Sequence, residues 1–213
     1  MIGELFDEAI MTGRAVTVEY ADGHRTPLPL HSWSGGLIDG DDSILRRCRG
    51  ATLDVGCGPG RLAAAVAARG LPSLGIDVTP SAVRRAHERG AIALVRDVFD
   101  ALPGQGRWRT VLLADGNIGI GGDPARLLRR VHELLAVSGR ALVELTPAPH
   151  GRGQCAARLR TRDRSGEWFR WAEVGVDDVV APASRAGLVV AARWTAGGRH
   201  FAELRPGAAR AVA

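Results

Sequence analysis

The sequence contains no lysine, few aromatic residues and only three cysteines. All 28 of its basic residues are arginine, and aromatic residues make up 5% of its 213 positions. Three scattered cysteines are too few for a disulfide framework or a zinc site, so we predict no metal and a reducing compartment. The N-terminus lacks the apolar core of a signal peptide, and no apolar run approaches membrane-spanning length. We therefore expect a cytoplasmic protein without membrane contact.

The composition is that of one ordinary globular domain. Hydrophobic residues make up 46% of the chain, which is enough for a sizeable core. Abundant alanine and glycine without lysine are typical of a GC-rich bacterial genome. The net charge of +5 permits a nucleic-acid partner, but the arginines are spread along the chain, which favours a solvated surface.

The segment TLDVGCGPGR at residues 52–61 combines a buried strand, a glycine turn and the start of a helix. Asp54 lies within the strand, and Gly56, Gly58 and Gly60 follow at alternate positions. A strand that ends in glycines and turns directly into a helix brings backbone N–H groups close to a small ligand.

The glycine spacing, G-x-G-x-G, differs from the G-x-G-x-x-G of dinucleotide-binding proteins, which disfavours a nicotinamide oxidoreductase. With Asp54 two residues before the first glycine, D-x-G-C-G-P-G resembles the first motif of class I S-adenosylmethionine-dependent methyltransferases. The resemblance implies S-adenosylmethionine as the cofactor. It also implies that this segment holds the methionine part and ribose of that cofactor, through Asp54, Gly56, Cys57, Gly58 and Gly60.

Acidic residues end the next two predicted strands, and open α/β sheets bind ligands at such ends. The resemblance implies that Asp77 accepts hydrogen bonds from ribose hydroxyls, with Val78 beside it; the alternative is an N-cap role for Asp77. It implies that Asp97 accepts the exocyclic amine of adenine and that Val98 donates a backbone N–H to the ring. Ala114, at the end of the fourth strand, completes the predicted cofactor site.

The candidate catalytic residues are two polar residues in a second glycine-rich loop and two histidines elsewhere in the chain. Asp115 and Asn117 belong to a second glycine-rich loop, residues 114–124, where they either face the methyl group or only stabilise a turn. The loop lacks the Pro-Pro-aromatic sequence of the methyltransferases that modify base amino groups. His31 and His150 are candidate bases, because histidine titrates near neutral pH, although each is alternatively a surface residue.

Alternating apolar runs and helical patterns over residues 51–206 predict an α/β fold. Together with the resemblance to class I methyltransferases, this implies a Rossmann-like, doubly wound sheet of about seven strands, mostly parallel, with an antiparallel terminal strand. Within it, residues 155–174 predict an inserted hairpin. A helix is expected near 177–186, with Asp177 and Asp178 in its first turn.

Residues 1–50 do not fit this alternation and are predicted to form a cap that contains helices at about 3–12 and 41–48 and a hairpin between them. Trp33 either stacks on a ligand or anchors the cap in the core, and the second interpretation is favoured.

Four arginines, at positions 158, 160, 162 and 164, alternate along the inserted hairpin, with Trp168 and Trp171 on its second strand. One interpretation is a surface that binds an anionic substrate or a nucleic acid. The other is a solvated edge strand protected by its charge. The edge strand is the favoured interpretation.

Together these features predict a methyltransferase that modifies an O or N atom of a small molecule. Transfer from an activated sulfonium mainly requires alignment and exclusion of water, so the lack of an evident catalytic triad does not argue against an enzyme. Two other hypotheses remain open: an RNA or protein methyltransferase, and a non-catalytic cofactor-binding protein of the same fold.

Overall fold

A computed structural model describes residues 3–147 and 151–207, in which the chain forms two β-sheets flanked by helices. In chain order the elements are α1 (Gly3–Thr12), β1 (Thr17–Tyr20), β2 (Arg25–Pro27), α2 (Leu30–Ser34), α3 (Asp41–Leu45), β3 (Thr52–Val55), α4 (Arg61–Ala68), β4 (Ser73–Asp77), α5 (Pro80–Glu88), β5 (Ala93–Val95), β6 (Trp108–Leu113), a 3₁₀ segment (Asn117–Gly122), α6 (Pro124–Leu134), β7 (Leu135–Leu145), β8 (Gly153–Arg160), β9 (Phe169–Glu173), α7 (Val180–Arg185), β10 (Leu188–Ala196) and β11 (Arg199–Pro206).

The larger sheet confirms the predicted α/β fold. Its seven strands have the order β10-β11-β7-β6-β3-β4-β5. Strands β3 to β7 are parallel, whereas β11 runs antiparallel to β7 and pairs with β10 in a terminal hairpin. Helices cover both faces, because successive residues of a strand point to opposite sides. Val111 packs with the α6 side of the core, and its neighbour Leu112 packs with α3 and α4.

The N-terminal segment has the two predicted helices and the predicted hairpin, together with a short helix, α2, that the sequence analysis did not anticipate. Its hairpin does not stand alone, because β1 pairs with β8 over Thr17–Tyr20. The result is a second sheet of four strands, ordered β2-β1-β8-β9, which we call the roof sheet. The predicted cap and the predicted inserted hairpin are therefore one structural unit.

The expectation of a solvated arginine edge strand is wrong. Strand β8 lies inside the roof sheet, between β1 and β9. Its arginines do share one face, and both are paired there: the Nε of Arg158 donates to Glu19 at 2.6 Å, and Arg160 lies 3.6 Å from the same carboxylate. Sequence alternation identified the face and could not reveal the partner strand.

One helix boundary also differs from the prediction. Helix α7 begins at Val180, so Asp177 and Asp178 precede it instead of occupying its first turn. The carboxylate of Asp178 accepts the backbone N–H of Gly151 at 2.8 Å, so it supports the loop before β8.

Candidate functional site

A cavity of about 870 Å³ lies between the carboxyl ends of the parallel strands and the roof sheet. Its floor contains the glycine turn and the ends of β4, β6 and β7. Its upper wall is one face of the roof sheet, since paired residues of antiparallel strands share a face and every second residue along a strand returns to it. The lining residues on that face are Val18, Tyr20, Thr26, Leu159, Phe169, Trp171 and Glu173.

The three glycines of the turn are needed for different structural reasons. A side chain at Gly56 would lie within 3.0 Å of the Asn117 amide, and one at Gly60 would lie 2.7 Å from Ala86 of α5. Gly58 has a φ of +52° and open space where a side chain would be. Gly56 and Gly60 therefore allow close packing, whereas Gly58 leaves backbone facing the cavity.

Asp54 is a carboxylate without a full set of partners. It is 3% exposed, lines the cavity, and its Oδ2 has no hydrogen-bond partner among the described residues. Burial, reinforced by the negative charge of Asp115, raises the pKa of Asp54 to about 7. A buried polar atom without a partner is costly, which indicates that a hydrogen-bond donor is missing from this position.

The residues predicted to hold ribose and adenine also line the cavity, at the ends of β4 and β5. Asp77 accepts the backbone N–H of Gly58 at 3.0 Å and that of Thr79 at 2.8 Å. It thus supports both the glycine turn and the start of α5, and burial raises its pKa. Asp97 is exposed and accepts the N–H of Phe99 at 2.9 Å, whereas the Val98 side chain is buried.

The loop after β6 is held in a conformation that is unusual for its sequence. Asp115 has a φ of +53°, the only non-glycine residue with positive φ in the described chain. Asn117 donates its side-chain amide to the carbonyls of Val55 at 3.0 Å and Gly56 at 2.9 Å. Asn117 thus stabilises the glycine turn, as one of the two interpretations expected, and it does so by joining that turn to the loop after β6. Ala114 is buried at the start of this loop and lines the cavity.

Five charged residues form a network under the cavity, which we call the floor network. It consists of the carboxylates Asp41, Asp115 and Glu144 and the guanidiniums Arg61 and Arg199. It joins α3, α4, the loop after β6, β7 and β11, and all its members except Asp41 line the cavity.

The contacts within the floor network are short. Arg61, which is 4% exposed, contacts Asp41 and lies 2.6 Å from Asp115. Arg199 lies 2.7 Å from Glu144 and 2.7 Å from Asp41. Although burial opposes it, hydrogen bonds from Arg61, the Ile38 N–H and Arg199 hold the pKa of Asp41 below its usual value. Because three carboxylates face two guanidiniums, the floor network carries an excess negative charge.

The comparisons with known proteins agree with this geometry. A family model described as a methyltransferase domain matches residues 52–139. Residues 52–139 thus form a methyltransferase domain of the class I S-adenosylmethionine-dependent type. A sequence search of curated proteins found no match.

Solved structures of other methyltransferases share the fold of this methyltransferase. An S-adenosylmethionine-dependent methyltransferase from Bacteroides fragilis, in complex with S-adenosyl-L-homocysteine, is 20% identical with a TM-score of 0.81; the alignment covers 97% of this chain and 94% of that chain. The 1,6-didemethyltoxoflavin-N1-methyltransferase of Burkholderia thailandensis is 18% identical with a TM-score of 0.57, covering 78% and 76%. The sugar N-methyltransferase KedS8 of a Streptoalloteichus species is 20% identical with a TM-score of 0.56, covering 76% and 84%.

Of the two candidate bases, only His31 lies within the described residues. His31 is exposed on α2 and is not one of the residues that line the cavity of this methyltransferase. His150 lies outside the described residues. Trp33 is partly buried against the cluster of α1, with its ring centroid 6.2 Å from that of Phe6, and it also lines the cavity. Its packing agrees with the predicted anchoring role.

Sequence reasoning missed most of the charged residues around the cavity. Arg61 directly follows the glycine turn, and Glu144 interrupts the apolar run at the end of β7, so a signal existed for both. For Asp41 and Arg199 the sequence offers none, because they meet from segments 158 positions apart. In the described part of the chain no helix is long and apolar enough to cross a membrane.

Proposed function

We propose that this methyltransferase transfers a methyl group from S-adenosylmethionine to an O or N atom of a small molecule enclosed under the roof sheet. The residues around the floor fit the cofactor. Asp77 and Asp97 offer carboxylates for ribose and adenine, Gly58 offers open backbone, and Asp54 has an unused acceptor. Bound there, the cofactor would supply a methyl group already activated by its sulfonium.

The observation that supports the proposal is one continuous cavity, which is lined both by these residues and by the apolar face of the roof sheet. Ligand pockets commonly measure about 300–1,000 Å³, and this one, at about 870 Å³, lies near the upper end. It extends from the glycine turn to the aromatic face of the roof sheet, including Phe169 and Trp171. This extent supports room for a second small molecule beside the cofactor.

The protein's own contribution is alignment and exclusion of water. The roof sheet covers the carboxyl ends of the strands, and the floor network fixes the loop that carries Asp115. Asp115 and Asn117 are committed to Arg61, Arg199 and the glycine turn, so we assign them positioning roles and no proton transfer.

The cavity, and not the arginine surface, favours a small acceptor over a nucleic acid. Nucleic-acid binding depends on cations that are free to neutralise phosphates. Arg25, Arg158 and Arg160 share the single carboxylate of Glu19 on the outer face of the roof sheet, away from the cavity.

Calorimetric titration with S-adenosylhomocysteine tests the cofactor site. We expect binding by the wild-type protein and about 10- to 100-fold weaker binding by Asp77→Ala, because hydrogen bonds to a charged group contribute about 1.5–3 kcal/mol. Asp42→Ala, an exposed carboxylate on α3, is the matched control and should bind like wild type. Absence of binding by the wild type, or unchanged binding by a folded Asp77→Ala protein, would contradict the proposal. A methyl-acceptor screen read by mass spectrometry then tests transfer.

A further inference from the structure

The cavity face of the roof sheet is apolar and aromatic except at Thr26 and at the pair formed by Tyr20 and Glu173. Its lining includes Val18, Leu159, Phe169 and Trp171, and the two aromatic rings meet edge to face with centroids 6.2 Å apart. Within this face the hydroxyl of Tyr20 donates to the Glu173 carboxylate at 2.7 Å. A polar pair in an apolar wall is the type of feature that orients a ligand.

The Tyr20–Glu173 pair joins the N-terminal segment to the hairpin formed by β8 and β9. Tyr20 lies on β1 and is 8% exposed, whereas Glu173 ends β9 and its side chain is 22% exposed. Burial and the adjacent carboxylate raise the pKa of Tyr20 to about 12, so its phenol remains a hydrogen-bond donor at neutral pH. A carboxylate offers about four acceptor positions, and Tyr20 occupies one of them.

Among the described residues, the charges around Glu173 leave an excess of negative charge. Arg152 lies 3.3 Å from the Glu173 carboxylate, but it also contacts Asp22, so one guanidinium serves two carboxylates. The floor network likewise has one more carboxylate than guanidiniums. Bound in the cavity, the cofactor would supply a sulfonium charge that offsets the excess of the floor network, and the excess beside Tyr20 would remain for a different ligand.

Other arginines reach the cavity at a different place. Arg126 stacks on the Phe99 ring at 4.0 Å, and Arg96 donates to the Val95 carbonyl, both near the predicted adenine position. Arg170 is exposed and alternates with Trp171 along β9, so its side chain leaves from the opposite face of the strand. None of the three is paired with Glu173.

Strand β9 is fixed against the floor of the cavity. The backbone N–H of Thr146, just after β7, donates to the Val174 carbonyl at 2.9 Å. A side chain at Gly119 of the 3₁₀ segment would lie 2.0 Å from the Ala172 carbonyl, so the two backbones are in close contact. These contacts hold Glu173 beside the ends of β6 and β7, next to the loop of Asp115.

We propose that the Tyr20–Glu173 pair binds the amino group of the methyl acceptor, and that the acceptor is an amine carried on an apolar or aromatic body. The inference rests on the proposed function and narrows its acceptor atom to nitrogen. An amine presents N–H donors to a carboxylate in both protonation states, and as an ammonium it also gains from the neighbouring rings. For transfer the nitrogen must be neutral, because its lone pair forms the new N–C bond while the electrons of the broken S–C bond stay on sulfur. The proton that leaves the nitrogen would pass to the adjacent Glu173 carboxylate. A carboxylic acid or phosphate would meet like charge, and an alcohol offers a single donor and no charge.

A purely structural role for the pair, joining β1 to β9, makes a different prediction. Removing the charge of Glu173 would then change stability without changing the choice of acceptor. Glu19 provides the matched control, because it joins arginines of the same sheet on the outer face, away from the cavity.

The experiment uses the full chain saturated with S-adenosylhomocysteine for binding and S-adenosylmethionine for turnover. The probes are 2-phenylethylamine, tryptamine and cyclohexylmethylamine, each with the alcohol and the carboxylic acid of the same skeleton. Binding is measured by calorimetry and transfer by a mass gain of one methylene. We expect the protein to bind and methylate each amine in preference to the alcohol and the carboxylic acid of the same skeleton. In Glu173→Gln we expect KM for the amine to rise about 10- to 100-fold with a smaller change in kcat.

The controls separate this inference from the proposed function. Glu19→Gln should keep the amine preference, and Glu173→Gln should keep wild-type affinity for S-adenosylhomocysteine. If the wild type fails to bind S-adenosylhomocysteine, the proposed function itself fails. With that binding intact, preference for alcohols or acids, no amine bound or methylated, or amine kinetics unchanged in Glu173→Gln would each overturn the inference alone.

Discussion

Asp54→Asn should make the protein more stable and a poorer binder of its cofactor. Burial and the charge of Asp115 raise the pKa of Asp54 to about 7 in the folded protein, from about 3.9 when unfolded. A carboxyl whose pKa rises on folding holds its proton more tightly in the folded state. Its ionisation therefore lowers the free energy of unfolding as pH rises from about 4 to 7.

The magnitude follows from the shift. Three pKa units correspond to about 4 kcal/mol, so the penalty is about 4 kcal/mol at pH 8 and about 1.5 kcal/mol at pH 5. Asparagine has nearly the same shape and no charge, so the variant escapes this penalty. These values are upper bounds, and at about 2–4 °C per kcal/mol the melting temperature at pH 8 rises by at most about 8–16 °C.

The assay is urea unfolding of the wild type and Asp54→Asn at pH 5 and pH 8, followed by titration with S-adenosylhomocysteine. The quantity of interest is the stability difference between variant and wild type, because other carboxyls titrate over the same range. Asp100→Asn, an exposed site, is the control and should show no such difference. If Asp54→Asn is no more stable than the wild type at pH 8, or its advantage does not shrink at pH 5, the account of a desolvated carboxylate is refuted.

Two further substitutions test how the cavity is built. Asp41→Ala leaves two guanidiniums of the floor network without one of their carboxylates and should cost about 3 kcal/mol, the low end for a broken buried pair, because other carboxylates remain; calorimetry should show melting about 6–12 °C lower. Asp42→Ala on the same helix removes only surface pairs worth about 0–1 kcal/mol, and an equal loss there would contradict this reasoning. Gly119→Ala places a methyl group against the Ala172 carbonyl and should cost about 1–3 kcal/mol in urea unfolding. Gly36→Ala meets nothing within 4 Å, so a similar cost at Gly36 would show that the contact with β9 is not the cause.

The alignment with the Bacteroides fragilis structure extends over the segments that form the roof sheet. That alignment covers 97% of this chain, whereas the toxoflavin and sugar N-methyltransferase alignments cover 78% and 76%. A fold shared over nearly the whole chain includes the segments of the roof sheet as well as the larger sheet.

Local patterns in the sequence were sufficient for the larger sheet and for much of the floor of the cavity. The strand–turn–helix at residues 52–61 and the alternation that follows report on neighbouring residues, and their periods of 2.0 and 3.6 are visible without tertiary structure. Asp54, Asp77 and Asp97 could be placed together because parallel strands bring their carboxyl ends to one edge. Their roles toward the cofactor remain predictions.

The tertiary structure decided what covers that edge. Strand β1 pairs with β8, and Glu19 meets Arg158, across more than a hundred residues of sequence. No local period records which distant strand completes a sheet, so the same arginines were assigned to an exposed edge. The roof sheet, the floor network and the Tyr20–Glu173 pair all depend on such long-range contacts. The sequence by itself thus determined a methyltransferase domain, and only contacts between residues far apart in the sequence decided the shape and charge of the cavity.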